Sequence, residues 1–338
     1  MRSGIVTSAG GRRLAAVAAV VLAALSLAAV EAAAQESGWT APLTADGRPD
    51  LQGIWSNNTA TPLERPQALA GKEELTDEEL AELQARAAEL RDSEQAGNLL
   101  GDLLIQQVLE DPDFQEFDAG TGNYNSFWLA ERKLDNRTSL IVDPPDGRIP
   151  PFTAAALERF GSRPPSGDHP AGPESLPLTE RCITYGVPNL LAGYNSYFQI
   201  MQTADHLVFL QELIHDARII PIDKPGELDA GIRLWHGDSR AHWEDDTLVI
   251  ETANYSNATM LRGASPNARV TERLRRIGPE MLEYVITFTD PDTWERPWTV
   301  MIPLEGSDEA LYEYACHEGN YSMEGILAGA RQLEAEGR

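Results

Sequence analysis

The sequence predicts a mainly β protein whose later part forms an antiparallel barrel, closed or nearly closed, with an N-terminal arm and peripheral helices. Apolar residues occupy alternate positions at Leu282, Tyr284, Ile286 and Phe288, which is typical of a strand with one buried face. Such segments follow one another from Tyr197 with connections too short for crossover helices, so the sheet is expected to be antiparallel. Closing the sheet into a barrel removes its exposed edges.

The predicted strands cover residues 197–203, 206–214, 217–222, 239–244, 247–253, 269–277, 281–289, 297–304 and 311–316. Together they predict a lipocalin-like barrel over residues 197–338, which ends in a C-terminal helix. Residues 35–196 are expected to form an arm and a helical wrap in the same compact unit. Within that part, residues 35–66 combine apolar side chains with prolines and glycines, which predicts an extended arm.

Helices are predicted from capping signals and apolar spacing. Thr76 and Glu79 form a capping box at the start of a helix over 76–92, and Leu75 and Leu80 occupy its staple positions. Further helices are predicted over 98–110, over 153–160, and from a Ser322 cap to about Glu334. Residues 162–177 hold several prolines and glycines and predict a surface loop.

The charge excludes several classes of partner. The chain has 27 Lys and Arg residues against 53 Asp and Glu residues, a formal net charge of −26. Such a field repels phosphate backbones and anionic membrane surfaces, so neither a nucleic acid nor a membrane is expected as a partner of the processed protein. The expected partner is a small molecule, and the oligomeric state is left open.

The first 34 residues have the pattern of a secretory signal peptide. Arg12 and Arg13 precede an apolar run over 14–30, and three alanines at 32–34 provide a cleavage site. A membrane anchor is the competing interpretation, but the run is short and alanine-rich for a stable span. We therefore expect a periplasmic or secreted protein.

The two cysteines, Cys182 and Cys316, are expected to form a disulfide, because an exported protein meets an oxidising compartment. Two buried free thiols are the alternative. In the chain-entropy model, a disulfide that closes a loop as long as the one between Cys182 and Cys316 stabilises the folded protein by roughly 4–5 kcal/mol.

Ionisable residues in the strand region form two candidate groups. In the first, His215 and Asp216 point to opposite faces of a strand unless a bulge intervenes, whereas Asp216 and Arg218 share a face and are able to pair. A structural ion pair at a strand end is the competing interpretation.

The second group has polar side chains at alternate positions, which all point to one face of an extended strand: His236, Asp238, Arg240 and His242. Trp235 adjoins them. A strand face with four polar side chains is either exposed to solvent or part of a polar barrel wall.

A third group joins the last predicted strand to the last helix. A bridge through Cys316 fixes His317 and Glu318 in space beside Arg181 and Cys182, and rigid placement favours acid–base chemistry. His317 is the preferred candidate base, with Glu318 as its orienting partner or a second acid. An acidic residue is also common where a helix starts, which is the alternative explanation.

An aromatic and amide patch at Tyr194 and Asn195 is suited to the rim of a small-molecule site, and residues 123–128 have a similar composition. Ordinary turn chemistry explains such patches equally well.

No cofactor is predicted, and a bound metal is left open: possible zinc-type ligands are His215, His236, His242 and His317 with Asp238 or Glu318. The sequence contains no Walker A loop, dinucleotide-binding loop, nucleophile elbow or His-Glu-x-x-His motif. Neither cysteine has metal-site spacing, and the six histidines are scattered.

Several longer segments resemble a family of uncharacterised secreted bacterial proteins. They include PDLQGIW at 49–55, IHDARIIP at 214–221, GDSR at 237–240, WEDDTLVIET at 243–252 and YEYACHEGNY at 312–321. The resemblance implies shared ancestry over most of the processed chain and implies no particular reaction.

Two functions are consistent with these observations. The first is an exported lyase, isomerase or hydrolase acting on a small, partly apolar molecule in a barrel pocket. It would use His317 or His215 as base, Asp216, Asp238 or Glu318 as acids, and Arg218 or Arg240 to stabilise an anion. The second is a lipocalin-like carrier, which needs only apolar walls.

Overall fold

The computed structural model describes residues 39–91, 109, 132–161, 170–224, 226, 228–256 and 263–337. Contacts divide the chain into two units, Met1–Pro42 and Leu43–Arg338. The features below all belong to the second unit. The predicted signal peptide, the segment 123–128 and most of the helix predicted over 98–110 lie outside the described residues.

Ten strands form one sheet in which all the paired strands are antiparallel. The order across the sheet is β5-β4-β3-β1-β10-β9-β8-β7-β6, and β2 pairs separately with β10. The strands are β1 (Gly53–Ser56), β2 (Ile141–Asp143), β3 (Tyr197–Gln202), β4 (His206–Gln211), β5 (Ala217–Pro221), β6 (Asp238–Glu244), β7 (Thr247–Ala253), β8 (Arg269–Gly278), β9 (Met281–Thr289) and β10 (Trp298–Ser307).

The two edge strands of the sheet, β5 and β6, meet at a junction that we call the seam. Just beyond β5, Ile222 forms a parallel bridge with Ala241 of β6, and the Asp223 N–H donates to the Ala241 carbonyl at 2.9 Å. The sheet is therefore an antiparallel barrel that is nearly closed, and the predicted fold class is confirmed. Its likeness to lipocalins stays a prediction.

The barrel is filled by side chains from the inward faces of its strands. The alternating residues of β9, Leu282, Tyr284, Ile286 and Phe288, are all buried in this core, as the period-2 pattern predicts. At one end of the core, Phe288 stacks on Trp298 with ring centroids 4.2 Å apart.

The predicted arm contributes a strand to the middle of the barrel. β1 pairs with β3 on one side and β10 on the other, and Leu51 and Trp55 are buried in the core. The sequence analysis missed this strand because its four residues follow a turn-rich stretch and carry no alternation of their own.

Two strand predictions need correction. Residues 311–316 form no strand, and Tyr312 is largely exposed. The strand predicted over 206–214 ends at Gln211, because the chain enters a short 3-10 turn, Leu213–His215, in which Ile214 and His215 have left-handed φ angles of 56° and 48°.

The described residues also include three α-helices: α1 (Asp77–Arg91), α2 (Ala154–Gly161) and α3 (Tyr321–Ala335). The capping box before α1 is confirmed, since the Thr76 N–H donates to Glu79 Oε2 and the Glu79 N–H donates to Thr76 Oγ1. For α3 the predicted cap is wrong: Asn320, not Ser322, accepts the first-turn N–H, from Met323. None of the described helices combines the length and apolar character needed to cross a membrane.

The disulfide prediction is confirmed. Cys182 and Cys316 are bonded with their Cα atoms 5.7 Å apart, across a sequence separation of 134 residues. The bond fastens the segment before α3 to the coil that precedes β3.

Candidate functional site

The candidate site lies at one end of the seam, where β4 ends and β5 and β6 begin. Asp216 precedes β5 by one residue, and His236 precedes β6 by two. His236 Nε2 lies 3.0 Å from Asp216 Oδ1, so this pair joins the two edge strands at the end opposite the Ile222–Ala241 bridge. The sequence analysis placed the two residues in separate groups.

The turn before β5 decides which way Asp216 points. Ile214 and His215 both have left-handed backbones, which cost L-residues about 1–2 kcal/mol each, and more for a β-branched residue such as Ile214. His215 is exposed and Asp216 is buried, but the turn and not the alternation of a strand separates the two side chains. Strain of this kind concentrates at functional sites.

Asp216 is held by four partners. Its Oδ2 accepts hydrogen bonds from the Thr184 hydroxyl at 2.7 Å, from Gln211 Nε2 at 2.8 Å and from the Tyr185 N–H at 3.1 Å, while Oδ1 faces His236. The side chain is only 4 % exposed. A carboxylate with this many donors stays in place as a fixed acceptor.

The same network fixes the tautomer of His236. Thr184 Oγ1 gives its proton to Asp216 and accepts from the Gly186 N–H at 2.8 Å, yet it also lies 2.9 Å from His236 Nε2. Because the hydroxyl has only one proton to give, His236 Nε2 must carry the hydrogen and donate it. In the neutral form of the ring, Nδ1 is then the nitrogen with the lone pair, and the side chain is 22 % exposed.

The sequence analysis did not select His236 as a candidate base. It noted the residue as a member of the second polar group and as a possible zinc ligand. Its partner, Asp216, lies 20 residues earlier, and only closure of the barrel brings the two together. The sequence signal that would have singled it out is Gly237, whose left-handed φ of 70° ends the loop before β6.

The predicted pair of Asp216 and Arg218 is wrong. Both side chains point inward, as their parity requires, but Arg218 pairs across the barrel with Glu272 of β8, through contacts of 2.6 and 2.7 Å. The Tyr284 hydroxyl also donates to Glu272, and the Arg218 guanidinium lies 5.3 Å from the Phe209 ring centroid.

This interior ion pair is well removed from solvent. The Arg218 and Glu272 side chains are 4 % and 0 % exposed. Burial alone lowers the pKa of Arg218, but the Glu272 carboxylate outweighs that effect and the net direction of the pKa is upward. Arg218 therefore stays charged and has its charge already balanced, which argues against a role in binding an external anion.

Asp238 and Arg240 close the middle of the seam. Asp238 Oδ1 pairs with Arg240 at 3.0 Å, and its Oδ2 accepts from the Leu228 N–H at 2.8 Å. Arg240 Nε donates to the Gly226 carbonyl at 2.7 Å. These two predicted site residues hold the returning chain against β6, and none of these bonds connects them to the Asp216 centre.

A second buried carboxylate organises the neighbouring turn. Glu212 accepts from Asn195 Nδ2 at 2.6 Å and from the Tyr312 N–H at 3.2 Å. Asn195, one of the predicted rim residues, therefore helps to fix the turn that carries His215, and the segment before α3 is tied to the same turn.

His215 and His317, the two predicted bases, lie side by side. Their ring centroids are 6.3 Å apart with a tilt of 44°, and both residues are exposed. Glu318, which follows His317 in the sequence, is also exposed. Within the described residues, neither imidazole forms a hydrogen bond or ion pair through its ring.

The remaining predicted residues surround these groups. Trp235, adjacent to His236, has 43 % of its surface exposed, whereas Tyr194 and Arg181 are half-buried on the coil that leads to β3. Among the described residues, no group of three or more His, Cys, Asp or Glu side chains is arranged to hold a metal ion.

Comparison with protein-family models, curated proteins and solved structures finds no match to this chain. The resemblance to secreted bacterial proteins described above therefore stays a prediction.

Proposed function

We propose that the protein is an exported enzyme that performs acid–base chemistry at the mouth of the barrel, with His236 as general base and Asp216 as the residue that positions it. The substrate class is a small, partly apolar molecule. This assignment keeps Asp216 from the sequence analysis and transfers the role of base from His317 or His215 to His236.

The observation that carries the proposal is the fixed orientation of the His236 ring. A buried carboxylate with three further donors holds Nε2–H, which leaves Nδ1 of the neutral ring as the nitrogen that accepts a proton. Rigid placement of a base in one tautomer is what efficient proton transfer requires. The strained turn that directs Asp216 inward is consistent with the same role.

The reaction type follows from which groups are accessible. The Thr184 hydroxyl is buried and its proton is bonded to Asp216, so it is unsuited to act as a nucleophile. Proton transfer by His236 instead supports a lyase, an isomerase or a hydrolase that activates water. The exposed ring of Trp235 provides an apolar surface beside the base.

The proposed location is the periplasm or the exterior of the cell. The predicted signal peptide and the bonded cysteines support this, because disulfides persist in oxidising compartments. A catalytic site at the barrel mouth is preferred to a ligand in the barrel interior, since inward side chains from most strands pack into one continuous core.

Turnover of small molecules tests the proposal. The disulfide-bonded protein is incubated with metabolite extracts, and consumption of each compound is compared for wild type, His236→Ala and His242→Ala. His242 is a matched control, because it is an exposed imidazole paired with Glu244 at 3.2 Å on the neighbouring strand. Loss of the base is expected to lower turnover about 10²–10⁴-fold, whereas His242→Ala leaves it unchanged.

Asp216→Asn separates positioning from folding. The variant is expected to lower kcat by a similar factor with little change in KM, while its far-ultraviolet circular dichroism stays native. Full activity in His236→Ala would overturn the assignment. A compound that binds the wild-type protein but is never converted would show a carrier instead.

A further inference from the structure

The exposed histidine pair, His215 and His317, is not used by the proposed mechanism. The residues are 102 positions apart in sequence, yet their rings lie with centroids 6.3 Å apart on the outside of the barrel. Neither ring contacts a carboxylate among the described residues. Two exposed imidazoles brought together from distant parts of the chain are the kind of ligand pair that transition-metal ions bind.

Each histidine is held by a different rigid element. The His215 N–H donates to the Glu212 carbonyl at 3.0 Å, inside the turn with left-handed Ile214 and His215. On the other segment, the preceding residue Cys316 is fixed by its disulfide to Cys182.

The segment that carries His317 is fastened a second time at Asn320. The Asn320 side chain donates to the Glu180 carbonyl at 2.7 Å, and its backbone N–H donates to the His317 carbonyl at 3.3 Å. Because the backbone on both sides is fixed, little ordering is needed to bring a shared ligand into contact with both rings.

The ring separation is close to what one metal ion needs to bind both rings. A zinc ion about 2.0–2.1 Å from an imidazole nitrogen lies about 3 Å from the centre of that ring, so two rings on one tetrahedral ion are about 5 Å apart. The observed 6.3 Å is longer by about 1 Å, a difference that rotation of two exposed side chains is able to close. Imidazole is a preferred ligand of zinc, copper and nickel, and a net charge of −26 raises the local concentration of divalent cations.

We propose that His215 and His317 bind one divalent transition-metal ion on the barrel surface, in addition to the acid–base centre. No third His, Cys, Asp or Glu ligand completes the set among the described residues, so the remaining coordination positions are taken by water. Such a site exchanges its metal readily and leaves positions open to a ligand. Both histidines are among the possible zinc ligands of the sequence, but no sequence pattern pairs them, because they are far apart in the chain and belong to no motif.

Calorimetric titration of the full disulfide-bonded protein with Zn²⁺ tests this site. Wild type is expected to bind one equivalent of Zn²⁺. Loss of a residue that only orients a metal ligand lowers metal affinity 10–100-fold, and loss of the ligand itself costs more. Either His215→Ala or His317→Ala is therefore expected to weaken Zn²⁺ binding more than tenfold. His242→Ala and His206→Ala are controls at exposed histidines elsewhere on the barrel, each beside a carboxylate. They are expected to bind as wild type does.

Folding is checked separately by thermal unfolding of each variant, because both rings are exposed and their removal should not change stability. The same variants in the turnover assay keep this proposal distinct from the acid–base centre. Equal Zn²⁺ affinity in wild type and both alanine variants would overturn the site, as would a loss of affinity only in His242→Ala or His206→Ala.

Discussion

At the scale of single residues, the most demanding feature of the molecule is a pair of opposite charges inside the barrel. Arg218 and Glu272 meet through two short contacts, with the Tyr284 hydroxyl as a third partner. Bringing both charges out of water is costly, and their mutual attraction offsets that cost only while the pair is complete.

A double-mutant cycle measures this dependence. Arg218→Met leaves a buried carboxylate without its cation and is expected to lower the free energy of unfolding by about 3–5 kcal/mol. Glu272→Gln keeps an acceptor for Tyr284 but leaves Arg218 unpaired, with a comparable cost. The double variant is expected to be markedly more stable than the sum of the two losses predicts, as measured by urea unfolding. Strictly additive losses would show that the charges do not depend on each other.

At the scale of secondary-structure elements, the loop before β6 determines where His236 lies. Gly237 has a left-handed φ of 70°, and a Cβ at that position would lie 2.5 Å from the Ala253 carbonyl oxygen and 2.7 Å from Thr252 Cγ2. Any side chain at 237 must therefore push the loop away from the end of β7. His236 is the neighbouring residue and would move with it.

Gly237→Ala is accordingly expected to lower the free energy of unfolding by about 2 kcal/mol or more, and to reduce turnover as strongly as His236→Ala does. Gly325→Ala in α3 is the matched control, because a Cβ there meets open space. It is expected to stabilise the protein by about 0.5–1 kcal/mol and leave turnover intact. Denaturant unfolding and the turnover assay give both values, and a Gly237→Ala variant with native stability would refute this account of the loop.

The elements also show what sequence patterns are able to predict. The strands of the second half were predictable because each carries its own alternation, as at Leu282 to Phe288. β1 was not, because Gly53–Ser56 is a strand only through partners about 145 and 250 residues away. The segment 311–316 alternates like a strand at Tyr312 and Tyr314 but has no sheet edge to join, so it remains irregular.

The candidate site was predictable in composition but not in pairing. Asp216 was identified as a candidate acid that shares a face with Arg218, yet its partner depends on the seam, which brings together the starts of β5 and β6. For the same reason Arg218 was assigned to a neighbour in sequence, when its partner lies across the barrel on β8. The alternation of side chains along a strand predicts which face of the sheet a residue occupies. Closure of the barrel determines which side chains it contacts on that face.

At the scale of the whole molecule, closing the barrel places two phenols in the same interior as the ion pair. Burial raises the pKa of Tyr255 and of Tyr284, and the Glu272 carboxylate raises both further. In the unfolded chain these phenols titrate near pH 10. Their pKa values are therefore higher in the folded state, so the stability that they contribute is fully present below about pH 10 and is lost as the pH rises above it.

Alkaline unfolding tests this property of the closed barrel. Above about pH 10, the free energy of unfolding is expected to fall by up to about 1.4 kcal/mol per pH unit for each buried phenol, because the unfolded chain releases protons that the folded one retains. Tyr255→Phe removes one of these groups at little cost, since the Tyr255 hydroxyl is buried without a hydrogen-bond partner, and it should reduce the slope by about half. Absorbance at 295 nm, followed together with circular dichroism, reports phenolate formation and unfolding in one experiment. If all nine tyrosines of the chain ionise while the circular dichroism is still native, the barrel interior is open to water and this account of its closure is wrong.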